Sequence, residues 1–162
     1  MTIVQSIGKP TPLNSQSLEV LRDLAATYGL DLFDQESEIS LKLEQVGYHN
    51  LVLEKHEPHV FSLAQTYIQE GDVMSVPFIR FIAIDEQTVY PFSIDDHSYE
   101  PFYYETAKLH SKRHTIATYD IELMRELVEY CDNWLKEIKN QLWYLSDCRQ
   151  NPRVKDNLGD EE

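Results

Sequence analysis

Acidic residues interrupt a strand-like stretch at Glu70-Gly71-Asp72, and Asp85-Glu86 ends the apolar run that follows. Carboxylate oxygens are hard ligands for cations, and two carboxylates can also act as a general acid and base. A calcium loop, however, needs about five or six oxygens in a fixed pattern around a glycine. Because only two carboxylates flank Gly71, the stretch predicts a hairpin turn in which Gly71 has a positive φ.

Two histidines, His110 and His114, have the spacing that places both side chains on one face of a helix, as in zinc proteases. The protease motif has Glu directly after the first histidine, whereas Ser111, Lys112 and Arg113 stand between these two. Two cations beside a dication are unfavourable. We therefore predict no metal ligand, and keep a metal-dependent enzyme using these histidines or the carboxylates as an alternative.

The cysteines and glycines also argue against familiar catalytic sites. Cys131 falls on the apolar positions of a predicted helix, where it acts as a small core residue, and Cys148 lies in a polar segment. The five glycines are isolated from one another, which excludes a P-loop and a dinucleotide-binding fingerprint. We predict no catalytic residue, no cofactor and no structural disulfide, as in a reduced cytoplasmic protein.

The elements that would position these residues begin with a helix over about 16–28, followed by runs with period two. The predicted strands are "EISLKLEQ", "LVLEKH", "VFSLAQTYI", "FIRFIAI" and "TVYPFSI", and "SYEPFYYE" is a further irregular one. The most apolar run, "FIRFIAI", is expected near the sheet centre. Pro91 lacks a backbone donor, which favours an edge position or a strand end for its run.

A long amphipathic helix follows the basic segment "KLHSKRHT". Apolar residues recur at steps of three and four from Ile121 to Leu145, and Thr118 or Asp120 can cap its start. The sequence thus predicts an α+β fold with two layers, in which an antiparallel meander of about five strands packs against an N-terminal helix and this C-terminal helix. The expected domain spans 15–145, between a flexible arm over 1–14 and a disordered polar tail over 146–162.

Self-association is predicted from the length of this last helix. About 26 residues would reach about 39 Å, whereas a six-residue strand covers about 20 Å. The apolar residues Ile138, Leu142 and Leu145 would then extend past the sheet and form an oligomer interface. The N-terminal arm is the alternative cover for them.

An aromatic segment is the predicted binding surface. Tyr90, Tyr99, Phe102 and Tyr103 would contact a partner, together with Met74 on the hairpin. Tyrosine provides rigid amphipathic contact area, although the same residues could instead pack within the sheet. Acidic residues flank the segment, which favours a basic protein or peptide as the partner.

The net charge of −14 restricts the partners further. Such a field repels nucleic acid and anionic membranes, so neither is expected as a partner. The N-terminus lacks the pattern of a secretion signal, and no apolar run is long enough to span a membrane. We predict a non-enzymatic cytoplasmic protein-interaction domain that self-associates; the alternative among binding proteins is an acidic mimic of nucleic acid that inhibits an enzyme with a basic groove.

Several short motifs together resemble small bacterial conserved proteins of unknown function that occur in chromosomes, plasmids and phages. The motifs are a "GY…LVLE" strand from Gly47 to Glu54, a "YxxxGD" hairpin from Tyr67 to Asp72, the "YP" pair at Tyr90, and Trp134 within the C-terminal helix. The resemblance covers about residues 38 to 142. It implies a compact α+β domain, and the family has no established catalytic residues to carry over.

Overall fold

The computed structural model describes residues 10–98, 100–141, 143 and 147–150. Within these residues the chain forms two helices and nine strands. In chain order they are α1 (Ser15–Ala26), β1 (Ile39–Glu44), β2 (Asn50–Glu57), β3 (Val60–Gln69), β4 (Asp72–Asp85), β5 (Thr88–Asp96), β6 (Phe102–Glu105), β7 (Ala107–Leu109), β8 (Ile116–Tyr119), α2 (Ile121–Asn140) and β9 (Asp147–Gln150). Neither of these helices is long and apolar enough to cross a membrane.

Seven strands form one antiparallel sheet in the order β6-β5-β4-β3-β2-β1-β9. From β1 to β6, neighbours in the sheet are also neighbours in the chain, so the predicted α+β meander is confirmed. The apolar strand β4 lies beside the middle strand, β3. β7 and β8 form a separate two-stranded sheet.

Alternation along the strands sends the apolar side chains to one side of the sheet. Leu41 and Leu43 on β1, and Leu51 and Leu53 on β2, are buried, and the residues between them are half-buried. The helices pack on this buried side, where Trp134 of α2 donates from Nε1 to Gln65 Oε1 at 3.1 Å. We call this side the inner face and the opposite side the outer face.

Both helices begin at a side-chain cap. Asn14 Oδ1 accepts the Ser17 N–H at 2.8 Å, and Asp120 Oδ1 accepts the N–H groups of the first turn of α2. Asp132 on α2 then links the two helices, because its Oδ1 accepts from Ser17 Oγ at 2.5 Å and from Asn14 N–H at 3.2 Å. One carboxylate thus fastens the start of α1 to the middle of α2.

The C-terminal helix ends about five residues earlier than expected, at Asn140. Trp143 turns back onto the domain, where its ring centroid lies 5.9 Å from that of Tyr48 and its carbonyl accepts from the Tyr28 hydroxyl at 3.1 Å. Ile138 is 1% exposed and belongs to the core of its own chain. Leu142 and Leu145 lie outside the described residues.

The structure also describes residues on both sides of the predicted domain. Residues 10–14 of the expected arm are held against β5, where Leu13 is buried and donates its N–H to Val89 O at 3.0 Å. Residues 147–150 of the expected tail form β9, which pairs with β1. A polar segment can add to an open sheet edge because backbone hydrogen bonds, rather than apolar side chains, make the pairing. Residues 1–9, 146 and 151–162 lie outside the described chain.

The segment expected to be a basic link forms the β7–β8 hairpin. At its turn, Arg113 donates from Nε to Glu57 Oε1 at 2.7 Å, and its guanidinium lies 5.8 Å from the centroid of the Phe92 ring. The outward-pointing side chains of Ile82 and Tyr90 are buried at this end of the sheet. The hairpin therefore supplies a second layer where β5 is apolar on both faces.

β5 is not an edge strand, because β6 pairs with it beyond Pro91. The β5–β6 ladder runs from Ser93 to Asp96, so Pro91 itself lies in the half of β5 that β6 does not reach. A register shift against β4 occurs between the pairs that contain Ser93 and Pro91. The missing N–H of the proline is thus tolerated beside an irregularity of the ladder.

The β3–β4 hairpin turns at the acidic stretch, as predicted. Gln69 pairs with Asp72, and the two residues between them, Glu70 and Gly71, have φ values of 52° and 89°. Two consecutive positive φ values are the geometry of a type I′ turn, which matches the right-handed twist of the flanking strands. A Cβ atom at residue 71 would meet no atom within 4 Å, so backbone conformation rather than crowding favours glycine there.

We expect opposite effects from substitutions at these two neighbouring positions. Gly71→Ala should lower the free energy of unfolding by about 1 kcal/mol, because only glycine adopts this φ without strain. Glu70→Asn should raise it by a few tenths of a kcal/mol (roughly 0.3), because asparagine tolerates the left-handed region better than glutamate. Urea unfolding of the three proteins measures both values. A stabilised Gly71→Ala protein would contradict the turn assignment.

Candidate functional site

The predicted chemical groups do not converge in the fold. Glu70 and Asp72 solvate the tip of the β3–β4 hairpin, and Asp85 and Glu86 lie at the far end of β4. Among the residues that the structure describes, no three His, Cys, Asp or Glu side chains lie together in a way that could hold a metal ion.

The histidine pair does not have the helical geometry of a zinc protease. His110 and His114 lie in the turn between β7 and β8, where the His110 N–H donates to Thr115 O at 3.0 Å. The His114 ring packs edge-on against His59, with centroids 5.8 Å apart. This contact attaches the β7–β8 hairpin to the turn between β2 and β3.

Cys131 lies in the core, as its position on the helix predicted. Burial raises the pKa of its thiol well above the ordinary value, and the negative charge of Asp132 adds to this effect. A protonated, buried thiol is a poor nucleophile. The side chain of Cys148 lies outside the described residues.

The structure separates the residues predicted to bind a partner. Tyr90 is buried, with its hydroxyl donating to Pro10 O at 3.4 Å, and Met74 is half-buried opposite Tyr67. Phe102 and Tyr103 are 43% and 52% exposed, but as neighbours on β6 they point to opposite faces. Tyr99 lies outside the described residues.

Of those predicted residues that the structure describes, Tyr103 belongs to a surface that spans the sheet. It stands opposite Asp95 on the outer face, and the register continues this cross-strand row through every strand to β1. The row consists of Tyr103, Asp95, Phe78, Ala64, Val52 and Lys42. The next row consists of Glu105, Ser93, Arg80, Ser62, Glu54 and Ser40.

The apolar part of this surface continues to the tip of the β3–β4 hairpin. Ile68 and Val73 face each other across the hairpin and are 66% and 63% exposed. Val73, Val52, Ala64 and Phe78 line a shallow depression of about 320 Å³, together with polar residues of the same strands. Val73, which follows the acidic turn, therefore points to the outer face and belongs to this surface.

Charged groups hold the aromatic side chains of this surface in place. The Arg80 guanidinium lies 5.3 Å from the centroid of the Phe78 ring, within the range of a cation–π contact. The Tyr103 hydroxyl donates to Glu105 Oε2 at 2.8 Å, and Lys108 Nζ lies 2.8 Å from Glu105 Oε1. Hydrogen bonds from Lys108 and Tyr103 lower the pKa of Glu105, so its carboxylate is ionised. Tyr103 is therefore an oriented, amphipathic group at the margin of the sheet.

A buried lysine is the group with unusual chemistry that the sequence reasoning missed. Lys55 follows Leu51 and Leu53 on the inner face and is 2% exposed. Its Nζ donates to the carbonyl oxygen of Asp34 and lines a cavity of about 240 Å³ that also contacts His59. Burial lowers the pKa of this ammonium, and the charges of Asp34 and Asp31 oppose the shift. The alternation in "LVLEKH" places Lys55 on the same face as Leu51 and Leu53, and this pattern could have predicted its burial.

Comparison with known proteins places the chain in a family. Residues 26–144 match the family model described as Domain of unknown function (DUF6908). The chain belongs to the DUF6908 family. This confirms the expected resemblance to a family of unknown function, over a somewhat longer region than the motifs covered. No curated protein and no solved structure matches the chain.

Substitution of Lys55 tests whether this DUF6908 domain gains stability from the lysine's stem or from its charge. We expect Lys55→Met to be neutral or stabilising, because it keeps the apolar stem and removes a buried ammonium. Lys55→Ala should lower the free energy of unfolding by about 2–4 kcal/mol through the cavity it leaves. Urea unfolding at pH 7 measures both. If Lys55→Met and Lys55→Ala lowered the free energy of unfolding equally, the hydrogen bond to Asp34 would outweigh the packing of the stem.

The same lysine predicts a pH dependence. Because its folded-state pKa is lowered, the unfolded chain binds more protons between that pKa and 10.5, the unfolded value. The stability of the wild-type protein relative to Lys55→Met should therefore rise with pH across this window. Parallel unfolding titrations from pH 7 to 10 check the sign, and a falling difference would contradict it.

Proposed function

We propose that this DUF6908 domain is a non-enzymatic, cytoplasmic protein-interaction domain that binds a basic partner on the open part of its outer face. The observation that carries the proposal is the area of the outer face from Tyr103 through Phe78 to Val73, which combines exposed and half-buried apolar side chains with oriented polar groups. Tyr103, whose hydroxyl is hydrogen-bonded, lies in the same cross-strand row as Phe78, which lines the depression. Tyrosine presented in this way is typical of protein-binding surfaces.

The charge of the domain supports a basic partner. The net charge is −14, and Glu54, Asp95 and Glu105 lie in the two cross-strand rows beside Lys42 and Arg80. A negative field speeds the approach of a positively charged protein and disfavours association of two copies through the same face. Binding should therefore weaken as salt is added.

Self-association stays a prediction, with less support than the sequence offered. The shorter α2 and the burial of Ile138 leave that residue no surface for contact with a second copy. Static light scattering across a range of concentrations tests it directly. A monomer at every concentration would remove self-association from the proposal and leave the outer face open for another protein.

The two alternatives receive no comparable support. A mimic of nucleic acid would need carboxylates in uninterrupted rows, whereas Lys42 and Arg80 stand within the rows of the outer face. On α2, Arg125 lies 3.0 Å from Glu122 and further lysines follow. A metal-dependent enzyme would need ligands that converge, and the two groups proposed from the sequence lie on separate turns.

Capture of a partner from native cytoplasm tests the proposal. The immobilised wild-type domain is compared with Val73→Ser and Phe78→Ser on the outer face and with Tyr130→Ser on α2. Tyr130 is a matched control because it is a large side chain of comparable exposure on the helical layer. We expect the two outer-face variants to retain roughly tenfold less of the captured protein, the size of effect seen at interface anchors, while the control retains it.

Folding of each variant is verified by thermal unfolding before capture. Retention of the same protein by Val73→Ser and Phe78→Ser, or equal loss with Tyr130→Ser, would contradict a binding site on the outer face.

A further inference from the structure

The edge of the sheet at β6 presents unpaired backbone groups in a regular pattern. β6 is the last strand on its side, and β5 is its partner among the described residues. The Thr106 N–H donates to Phe92 O at 2.9 Å, which sets the phase of this ladder. Hydrogen bonding to the neighbour alternates along an antiparallel strand, so Phe102 and Tyr104 bond to β5, and the N–H and C=O groups of Tyr103 and Glu105 point away from the sheet.

The four residues of β6 include no lysine and no proline, and Pro101 directly precedes the strand. Natural edge strands commonly carry lysine, proline or a bulge, which prevent another strand from joining. The four residues of β6 are Phe-Tyr-Tyr-Glu, and Phe102 and Tyr104 stack with ring centroids 6.1 Å apart on its inner side. Aromatic side chains make favourable cross-strand pairs and thus favour strand addition.

We propose that the DUF6908 domain binds an extended, basic segment of its partner as an additional antiparallel strand alongside β6. The proposal rests on the function proposed above and specifies how the partner is held. The added strand would extend both outer-face rows by one residue, placing one side chain beside Tyr103 and another beside Glu105. A β-branched residue suits the first position and lysine or arginine the second.

Charge at this edge distinguishes a basic segment from a second copy of the chain. Asp95 and Glu105 flank Tyr103 on the outer face, and Glu100 is exposed just before the strand. Pairing β6 with its own counterpart would bring these carboxylates together with the partner's, which is unfavourable. The nearby basic side chains are Lys108, which is paired with Glu105, Arg80, which also acts on Glu105, and His97, whose Nε2 lies 3.4 Å from Asp95 Oδ1. The carboxylates of Asp95, Glu100 and Glu105 outnumber the cations Lys108 and Arg80. A strand rich in lysine meets the complementary charge.

Binding of model peptides tests the proposal on the full chain. The probe is a fluorescent eight-residue peptide of sequence Val-Val-Lys-Lys-Val-Val-Lys-Lys, in which residues two apart on one face are a valine and a lysine. Its control replaces every lysine with glutamate. We expect fluorescence anisotropy at low salt to show at least tenfold tighter binding of the lysine peptide. Hydrogen exchange of the Tyr103 and Glu105 amides should slow at least tenfold when it binds. Unchanged exchange at both amides, or equal affinity for the two peptides, would overturn the proposal.

Substitution at Tyr103 separates the backbone from the side chain. Tyr103→Pro removes an N–H that points away from the sheet and leaves the β5–β6 hydrogen bonds intact, whereas Tyr103→Phe keeps the N–H and the ring. We expect at least tenfold weaker peptide binding for Tyr103→Pro and less than threefold change for Tyr103→Phe. Undiminished binding by a folded Tyr103→Pro protein would overturn strand addition. If that variant does not fold, hydrogen exchange of the wild-type protein with the peptide is the deciding measurement.

The same variants distinguish failure of this inference from failure of the proposed function. If capture from cytoplasm is lost with Val73→Ser and Phe78→Ser but unaffected by Tyr103→Pro, the outer face binds the partner and strand addition is wrong. If all of these variants capture as wild type does, both proposals are wrong.

Discussion

The apolar side chains of β1 to β4 point to the side of the sheet where α1 and α2 pack, and two helices can cover only that side. This constraint explains the clean alternation along β1 and β2. It also leaves the opposite side open as a surface on which six strands contribute side chains in register. The candidate binding face is thus a direct consequence of how the core is covered.

The helical layer is fixed by a small number of polar contacts. Asp132 accepts hydrogen bonds from both Asn14 and Ser17, so the start of one helix depends on a carboxylate in the middle of the other. Trp134 is held to the sheet through Gln65. Such directional contacts add orientation to the apolar packing, which by itself is non-directional.

Where β5 is apolar on both sides, the chain provides its own second cover. The β7–β8 hairpin places Arg113 between Glu57 and the Phe92 ring. Tyr90, on the same strand as Phe92, is also buried. The outer face is therefore divided into a covered end and an open end toward the β3–β4 hairpin. Tyr103, Phe78 and Val73 lie at the open end.

Sequence patterns predicted most elements because burial against one layer imposes a local period. Period two gave the strands, period 3.6 gave both helices, and an isolated glycine between strands gave the β3–β4 turn. The errors occurred where a partner distant in sequence decides the outcome. β9 forms because β1 has an open edge, and Trp143 leaves the helical path because Tyr48 and Tyr28 lie within reach.

The sequence by itself determined the α+β class, the meander and the absence of glycine-rich phosphate loops, since each follows from residue types close together in the chain. The tertiary structure alone decided which aromatic residues are accessible: Tyr90 is core, and Tyr103 is surface, although both lie in similar apolar runs. It also decided the cross-strand rows, because register depends on bulges and turns that residue types do not specify. Accessibility and register are properties of how distant strands pack, so only the folded chain contains them.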